Sequence, residues 1–168
     1  MRIDRIWSMP NKNTFLIKPI KELLEEEVNS DVLSLDPYAN QARIAKITND
    51  LNPEFDTDYH MDALDFLKMF DNESVDLVLL DWPYSARQVS ECYKGFGYKV
   101  TKETTQSSFY SRPKKEVARI LKHGGKVICF GWNSNGVGKT LGFEMTRMLL
   151  VPHGGNHYDT IVTVEIKK

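Results

Sequence analysis

Apolar positions along this chain fall into short continuous runs separated by stripes at helical spacing. Val75-Asp76-Leu77-Val78-Leu79-Leu80 is a branched, nearly unbroken apolar run, the pattern of a strand buried on both faces of a parallel sheet. Ahead of it, residues 63–70 place Leu64, Leu67 and Phe70 on one helical face. Behind it, residues 114–122 do the same with Val117, Ile120 and Leu121, and Gly124-Gly125 is placed to end that helix. Residues 126–130 read as the next strand. Residues 31–36 predict a first strand, 42–47 a second strand or a short helix feeding one, and 59–61 a short third. Pro19 suits the opening turn of a helix whose apolar face is Ile20, Leu23, Leu24 and Val28. Glu25, Glu26 and Glu27 at its end read as a solvated face, and residues 1–16 as an irregular leading segment. Residues 86–110 show weak periodicity and predict a long loop, of the kind that is functional or mobile. Residues 143–151 and 160–166 predict two final strands. The connection through His153-Gly154-Gly155-Asn156-His157 is short and carries no helix pattern, which makes these strands antiparallel neighbours. The sum is an α/β chain: a mostly parallel seven-stranded sheet, helices on both faces and an antiparallel C-terminal strand pair, in one domain over 1–168.

Composition narrows the picture only in part. A chain of 168 residues, 41% of them hydrophobic, supplies one core. A formal net charge of -1 gives no overall basic field, so any nucleic-acid contact must come from a local patch. Cys92 and Cys129 lie in unlike contexts, form no CxxC pair and read as reduced thiols without metal. The first ten residues carry charges and no long apolar stretch, unlike a signal peptide. No run approaches the roughly 20 apolar residues that span a bilayer. The expectation is a cytoplasmic protein with no membrane contact, a monomer or a homodimer.

Chemistry concentrates at Asp81-Trp82-Pro83-Tyr84. A carboxylate, a proline and an aromatic just past the C-terminal end of a buried strand stand where open α/β sheets bind ligands. The tetrad resembles the Asp-Pro-Pro-Tyr signature of the S-adenosylmethionine-dependent amino-methyltransferases, which methylate exocyclic amino groups of adenine or cytosine. Lys18-Pro19-Ile20-Lys21-Glu22-Leu23-Leu24 is similar to the segment that precedes their cofactor-binding strand. Val32-Leu33-Ser34-Leu35-Asp36-Pro37-Tyr38-Ala39 resembles their Val-Leu-Asp-Pro-Phe-Ala motif. Asp50-Leu51-Asn52-Pro53 resembles the acidic end of their second strand, and Asp62-Ala63-Leu64-Asp65-Phe66-Leu67 the segment one helix before the catalytic strand. The resemblance covers about residues 14–131, with the cofactor motif ahead of the catalytic one. Two positions depart from the pattern: Asn40-Gln41 replaces a glycine-containing loop, and Trp82 replaces the first proline.

The resemblance implies a Rossmann-like methyltransferase fold and S-adenosyl-L-methionine as cofactor. Phe15, Lys18, Asp36, Pro37, Tyr38, Ala39 and Asn40 would then face its methionine portion. Asp50, with Leu51, would bond the ribose hydroxyls, and Asp62, with Ala63, the adenine amino group. Asp81, Trp82, Pro83 and Tyr84 would be catalytic. The base amino group is a poor nucleophile because its lone pair is delocalised into the ring. Hydrogen bonds from its two hydrogens to the Asp81 carboxylate and the carbonyl of residue 82 localise that pair and stabilise charge building on nitrogen. Tyr84 would stack on a flipped base. An Asp-first tetrad is more like the adenine enzymes than the cytosine ones, so DNA adenine is the expected substrate, with RNA or a protein amide as alternatives. The two departures motivate a rival: a degenerate methyltransferase-fold protein that binds S-adenosylmethionine or nucleic acid without turnover.

Basic residues interleaved with aromatics across residues 84–110 suit phosphate contact and base stacking. They make Ser85, Arg87, Lys94, Lys99 and Lys102 the candidate substrate-binding residues. Gly131-Trp132-Asn133-Ser134-Asn135-Gly136-Val137-Gly138-Lys139 lacks phosphate-loop spacing and is expected to border the site after the fifth strand. His153 and His157 flank two glycines, lack a third ligand and read as a polar turn rather than a metal site.

Overall fold

A computed structural model describes residues 1–101 and 107–168. Its elements are β1 (Arg2–Arg5), α1 (Lys18–Glu27), β2 (Ser34–Asp36), β3 (Ile47–Thr48), α2 (Ala63–Lys68), β4 (Val75–Leu80), α3 (Ala86–Gly95), α4 (Ser111–Ile120), β5 (Leu121–Gly131), β6 (Phe143–Val151) and β7 (Thr160–Lys167). The strands form one sheet in the order β1-β6-β7-β5-β4-β2-β3. β7 alone runs against its neighbours β5 and β6; every other pairing is parallel.

Alternation along β4 builds two cores. Leu77 and Leu79 point to the α1 side, where they meet Phe15, Ile20, Leu23, Leu24, Ile128 and Val162. Val78 and Leu80 point to the other side and meet Leu35, Phe66, Leu67, Val117 and Ile120 from α2 and α4. A period of two on the strand and of 3.6 on the helices is what lets one six-residue strand serve both layers. β4 ends at Leu80, so Asp81 emerges at the carboxyl edge of the sheet centre.

Several expectations shift. Residues 1–16 are not wholly irregular: β1 pairs in parallel with β6, at the sheet edge. The second strand shrinks to Ile47–Thr48, because Arg43 turns out to Asp56 and Asp58 and Ala45 packs into the core. The third strand reduces to a single bridge between Asn49 and Tyr59. Gly124-Gly125 does not end a helix. α4 stops at Ile120, and the glycines sit in a bulge inside β5, between the Val75–Leu121 and Leu77–Lys126 pairs. Gly124 has φ +77° there, a conformation that favours glycine.

The acidic end of α1 is not simply solvated. Glu26 and Glu27 meet the buried Arg147 of β6 at 2.6 and 3.4 Å, and Glu27 also meets Lys126 at 2.7 Å. The largest change is α3, which occupies ten residues of the expected loop. Ser85 caps it by accepting from the Gln88 N–H, Gln88 Oε1 accepts from the Tyr84 N–H, and Arg87 pairs with Glu91 one turn on. Its buried stripe is narrow, Val89 with half-buried Cys92 and Tyr93, because that face meets a cleft rather than a core. A narrow stripe leaves weak periodicity in the sequence.

No helix among the described residues is long and apolar enough to cross a membrane. Among the same residues no cluster of metal-ligating side chains occurs. Cys92 and Cys129 are free thiols.

Candidate active site

Asp81 stands at the junction of two cavities. One, of about 330 Å³, is lined by Pro37, Tyr38, Asn40, Asp50, Leu51, Asp62, Ala63 and the whole Asp81-Trp82-Pro83-Tyr84 tetrad, with Cys92 and Tyr93 of α3 closing a side. The other, of about 410 Å³, lies toward α1 and is lined by Phe15, Ala39, Asn40 and the 41–44 segment. Asp81, Thr14 and Asn40 belong to both walls.

The Asp81 carboxylate accepts the Tyr84 hydroxyl at 2.5 Å, and the Thr14 hydroxyl lies 3.5 Å from that phenol oxygen. Burial pushes the Asp81 pKa up to about 6, against the Tyr84 bond and the nearby Thr14 hydroxyl, which favour the ionised form. Burial and the neighbouring carboxylate push the Tyr84 phenol upward in turn, so it stays a donor. The tetrad is braced from behind. The Tyr110 hydroxyl donates to the Pro83 carbonyl at 2.6 Å, the Tyr110 ring meets Trp82 edge-on at 5.4 Å, and Lys114 lies 5.5 Å over the Trp82 ring.

The turn after β2 supplies the next wall. Asn40 takes φ +51°, the left-handed conformation its side chain tolerates, where the resemblance would have glycine. Its N–H donates to Asp50 Oδ2 at 2.8 Å, and the Asn52 N–H donates to Oδ1 at 2.8 Å. Asp62 caps α2 through the Leu64 N–H at 2.9 Å, and its other oxygen accepts the Tyr93 hydroxyl. Both acids therefore hold local structure and still line the cleft. Asp36 lies buried under this turn: Oδ1 accepts the Tyr38 N–H at 3.0 Å, and Oδ2 has no partner. Burial holds its pKa well above the usual carboxylate range, and the charges of Asp81 and Asp50 add to that.

Asn49 ties these pieces together. Fully buried, it donates to the carbonyls of Pro37 and Met61 at 3.1 and 3.0 Å and accepts from the Met61 N–H at 3.1 Å. The turn after β2, Asp50 and the approach to Asp62 are thereby fixed to one side chain. The sequence reading passed over Asn49, although an amide directly before Asp50 was the available signal.

Of the expected cofactor residues, Pro37, Tyr38, Ala39, Asn40, Asp50, Leu51, Asp62, Ala63 and Phe15 come together on the cavity walls. Asp36 lies just beneath them. Phe15 is also core, with its ring 4.9 Å from that of Phe130. Lys18 is exposed at the first position of α1 and lines neither cavity. The expected substrate-binding set does not converge. Ser85 is a helix cap, Arg87 is paired with Glu91, and Lys94 and Lys99 are exposed away from the cavity walls. Lys102 lies outside the described residues.

Instead, a third depression of about 380 Å³ adjoins Tyr84. Its lining includes Lys12, Trp132, His153, His157 and Tyr158. Tyr84 and Trp132 meet edge-on at 5.5 Å, and Trp132 and Tyr158 stack at 4.4 Å. His153 is no exposed turn residue: it is buried between the Ser8 carbonyl and the Thr160 hydroxyl, both at 2.8 Å. The segment after β5 does border the site, as expected. Glu165 on β7 accepts the N–H groups of Val137 and Gly138 at 2.6 and 3.2 Å and anchors it.

No protein-family model matches the chain, and no curated protein matches it by sequence. Solved structures do match in fold. A Burkholderia thailandensis 1,6-didemethyltoxoflavin-N1-methyltransferase, bound to 1,6-didemethyltoxoflavin and S-adenosylhomocysteine, superposes with a TM-score of 0.63 at 12% identity over 94% of this chain and 80% of that one. TrmN from Thermus thermophilus gives 0.58 at 16% identity over 91% of this chain, which spans about half (49%) of TrmN. The putative methyltransferase yhhF from Escherichia coli gives 0.57 at 10% identity, over 96% and 91%. The fold is the Rossmann-like methyltransferase fold.

Proposed function

We propose that this chain transfers a methyl group from S-adenosyl-L-methionine to the exocyclic amino group of a nucleic-acid base, adenine in DNA. The observation that carries the reading is the position of Asp81, one carboxylate on the wall shared by two cavities and held there by the Tyr84 hydroxyl, which Thr14 meets in turn.

The residues present suit the cofactor. Asp36 Oδ2 is a buried acceptor without a donor, which a cationic or N–H group of the cofactor's amino-acid portion would satisfy. Phe15, the backbone of residues 37–40 and that carboxylate would hold this portion. Asp50 keeps lone pairs free beside its two backbone donors for the ribose hydroxyls, and Asp62 has the same capacity for an adenine amino group. Lys18 falls outside this set. A structure of the same fold, the Burkholderia enzyme, holds S-adenosylhomocysteine. When bound, S-adenosylmethionine supplies an electrophilic methyl on a sulfonium.

The chain does the rest. The Tyr84 hydroxyl fixes Asp81 Oδ1 and leaves the carboxylate's other lone pairs to accept an amino hydrogen of the base. The Trp82 carbonyl accepts the second hydrogen, and a carbonyl is present there whether the residue is Trp or Pro. The nitrogen lone pair is then directed out of the ring plane toward the donor. The ionised carboxylate would stabilise the positive charge that develops as the N–C bond forms and the sulfonium S–C bond breaks, the electron pair staying on sulfur so that S-adenosylhomocysteine leaves, and the nitrogen would give up its proton to solvent. Holding both partners in line contributes the larger share, on the order of 7–11 kcal/mol in well-aligned intramolecular models.

Transfer of labelled methyl from S-adenosylmethionine to DNA and RNA, assayed separately and read as modified nucleosides, tests the reading. Methyl-adenine from DNA that vanishes in Asp81→Ala is the expected result. Transfer to RNA alone would move the substrate, and cofactor binding with no transfer would favour the degenerate binding protein.

A further inference from the structure

The sheet has two edges, and the chain treats them differently. At one edge β3 is two residues long and is flanked by the Arg43–Asp56–Asp58 charges, which blunts it. At the other, β1 is paired, among the described residues, with β6 alone. The run beyond it stays extended along β6, since the Ile6 N–H donates to the Leu150 carbonyl and the Ser8 N–H to the Pro152 carbonyl. Even-numbered N–H groups thus face β6, and alternation turns those of Ile3, Arg5 and Trp7 outward. Apart from Arg5, the odd positions of the run are apolar: Met1, Ile3, Trp7 and Met9 are 75%, 57%, 61% and 66% exposed. An open edge carrying such residues is a pairing surface rather than a solvated border.

We infer that β1 pairs antiparallel with β1 of a second copy of this chain, about a two-fold axis at Ile3, so that one sheet runs through both subunits. A two-fold axis normal to the sheet must oppose residues of like parity. Four registers centre on a residue of the strand. Centring on Arg2 or on Arg5 sets that arginine against the same arginine of the partner subunit. Centring on Asp4 sets the two Asp4 carboxylates together and puts Ile3 against a charge. Centring on Ile3 opposes Arg2 to Asp4 of the partner subunit twice and Ile3 to itself. Arg2 and Asp4 share the α1 face, already joined at 2.7 Å within one chain. In this register they occupy the non-hydrogen-bonded sites, where Cα atoms approach to about 4.5 Å. Ile3 exchanges its outward N–H and C=O with its symmetry mate. The self-complementary Arg-Ile-Asp order thus selects both the occupant and the register.

Sedimentation velocity and light scattering across a concentration series test this. The wild-type chain is expected to show a reversible dimer. Ile3→Lys and Ile3→Glu, at a mostly exposed position, each weaken it on the order of tenfold or more by setting like charges face to face, with unchanged circular dichroism. Mixing the two variants restores dimers as Lys–Glu heterodimers, because only in this register does position 3 meet itself. A wild-type monomer throughout the series, or a dimer indifferent to Ile3→Lys, overturns the inference. So does an Ile3→Glu variant that dimerises more tightly, since that places Arg5 opposite position 3.

Discussion

Asp81 has to be ionised to accept an amino hydrogen, and burial sets the pH at which that happens. With the carboxyl pushed up to about 6, kcat/KM for methyl transfer should rise with pH through that region and level off above it. Tyr84→Phe removes the 2.5 Å donor that favours the ionised form, so the acid limb of the profile should move to higher pH as the plateau falls. A limb that stays in place would separate the Tyr84 hydroxyl from the titrating group. Stability carries the same sign. The folded chain keeps the Asp81 proton to higher pH than the unfolded chain does. The residue's contribution is therefore most favourable below about pH 4 and is lost as pH rises through about 6. Asp81→Asn should be more stable than wild type near neutral pH by roughly 1–3 kcal/mol and gain little in acid, by urea midpoints at the two pH values. One residue is thus expected to lose activity and gain stability on neutralisation, the mark of a half-buried, desolvated acid kept for chemistry rather than for folding.

At the level of elements, what was legible in the sequence is what burial on a regular period dictates. β4, the α1 stripe and the β6–β7 antiparallel pair follow from alternation and a helix-free connection. α3, β1 and the two-residue β3 do not, because each meets neighbours on only a narrow face. For α3 the legible signs were polar instead: the Ser85 cap, the Gln88 return bond and the Arg87–Glu91 pair. The same division applies to the candidate site. Asp50, Asp62 and the tetrad were readable as ordered motifs. Asn49 and Thr14 were not, since their roles depend on partners elsewhere in the sequence, and Trp132 was legible only as part of a segment bordering the site. Asn49 makes the clearest test. Asn49→Ala strands the Pro37 and Met61 carbonyls and the Met61 N–H, costing roughly 1–3 kcal/mol. It also releases the turn that carries Asp50, so cofactor affinity, followed by titration calorimetry, should fall along with the melting temperature. A melting-temperature loss with cofactor affinity intact would confine Asn49 to the core.

Across the whole molecule, the two sides of the sheet centre are locked by different means. The α2–α4 side is mostly apolar, from Phe66 to Val117, with Glu165 and Thr163 of β7 buried at one margin and Glu165 tied to backbone N–H groups rather than to a cation. The α1 side ends in a charge cluster in which Arg147, 8% exposed, meets Glu26 at 2.6 Å, Glu27 at 3.4 Å and Asp4 at 3.5 Å. That cluster joins α1, β1 and β6, elements drawn from both ends of the chain. Pattern reading cannot foresee it, because a glutamate run on a helix looks solvated until a buried arginine arrives from more than a hundred residues away. Removing Arg147 leaves the partly buried Glu27 and Asp4 uncompensated, while Glu26, 55% exposed, stays solvated, so the cost should be about 1–3 kcal/mol rather than that of a fully buried set. Arg147→Ala should therefore lower the urea midpoint clearly, and Arg147→Lys, which keeps the charge without the planar fork, should recover part of the loss. The Glu27→Gln background decides the mechanism. If the penalty is uncompensated charge, Arg147→Ala costs less there than in wild type, a coupling that a double-mutant cycle of urea midpoints reads directly. Additive effects would instead mean that the arginine contributes through the packing of its stem against α1.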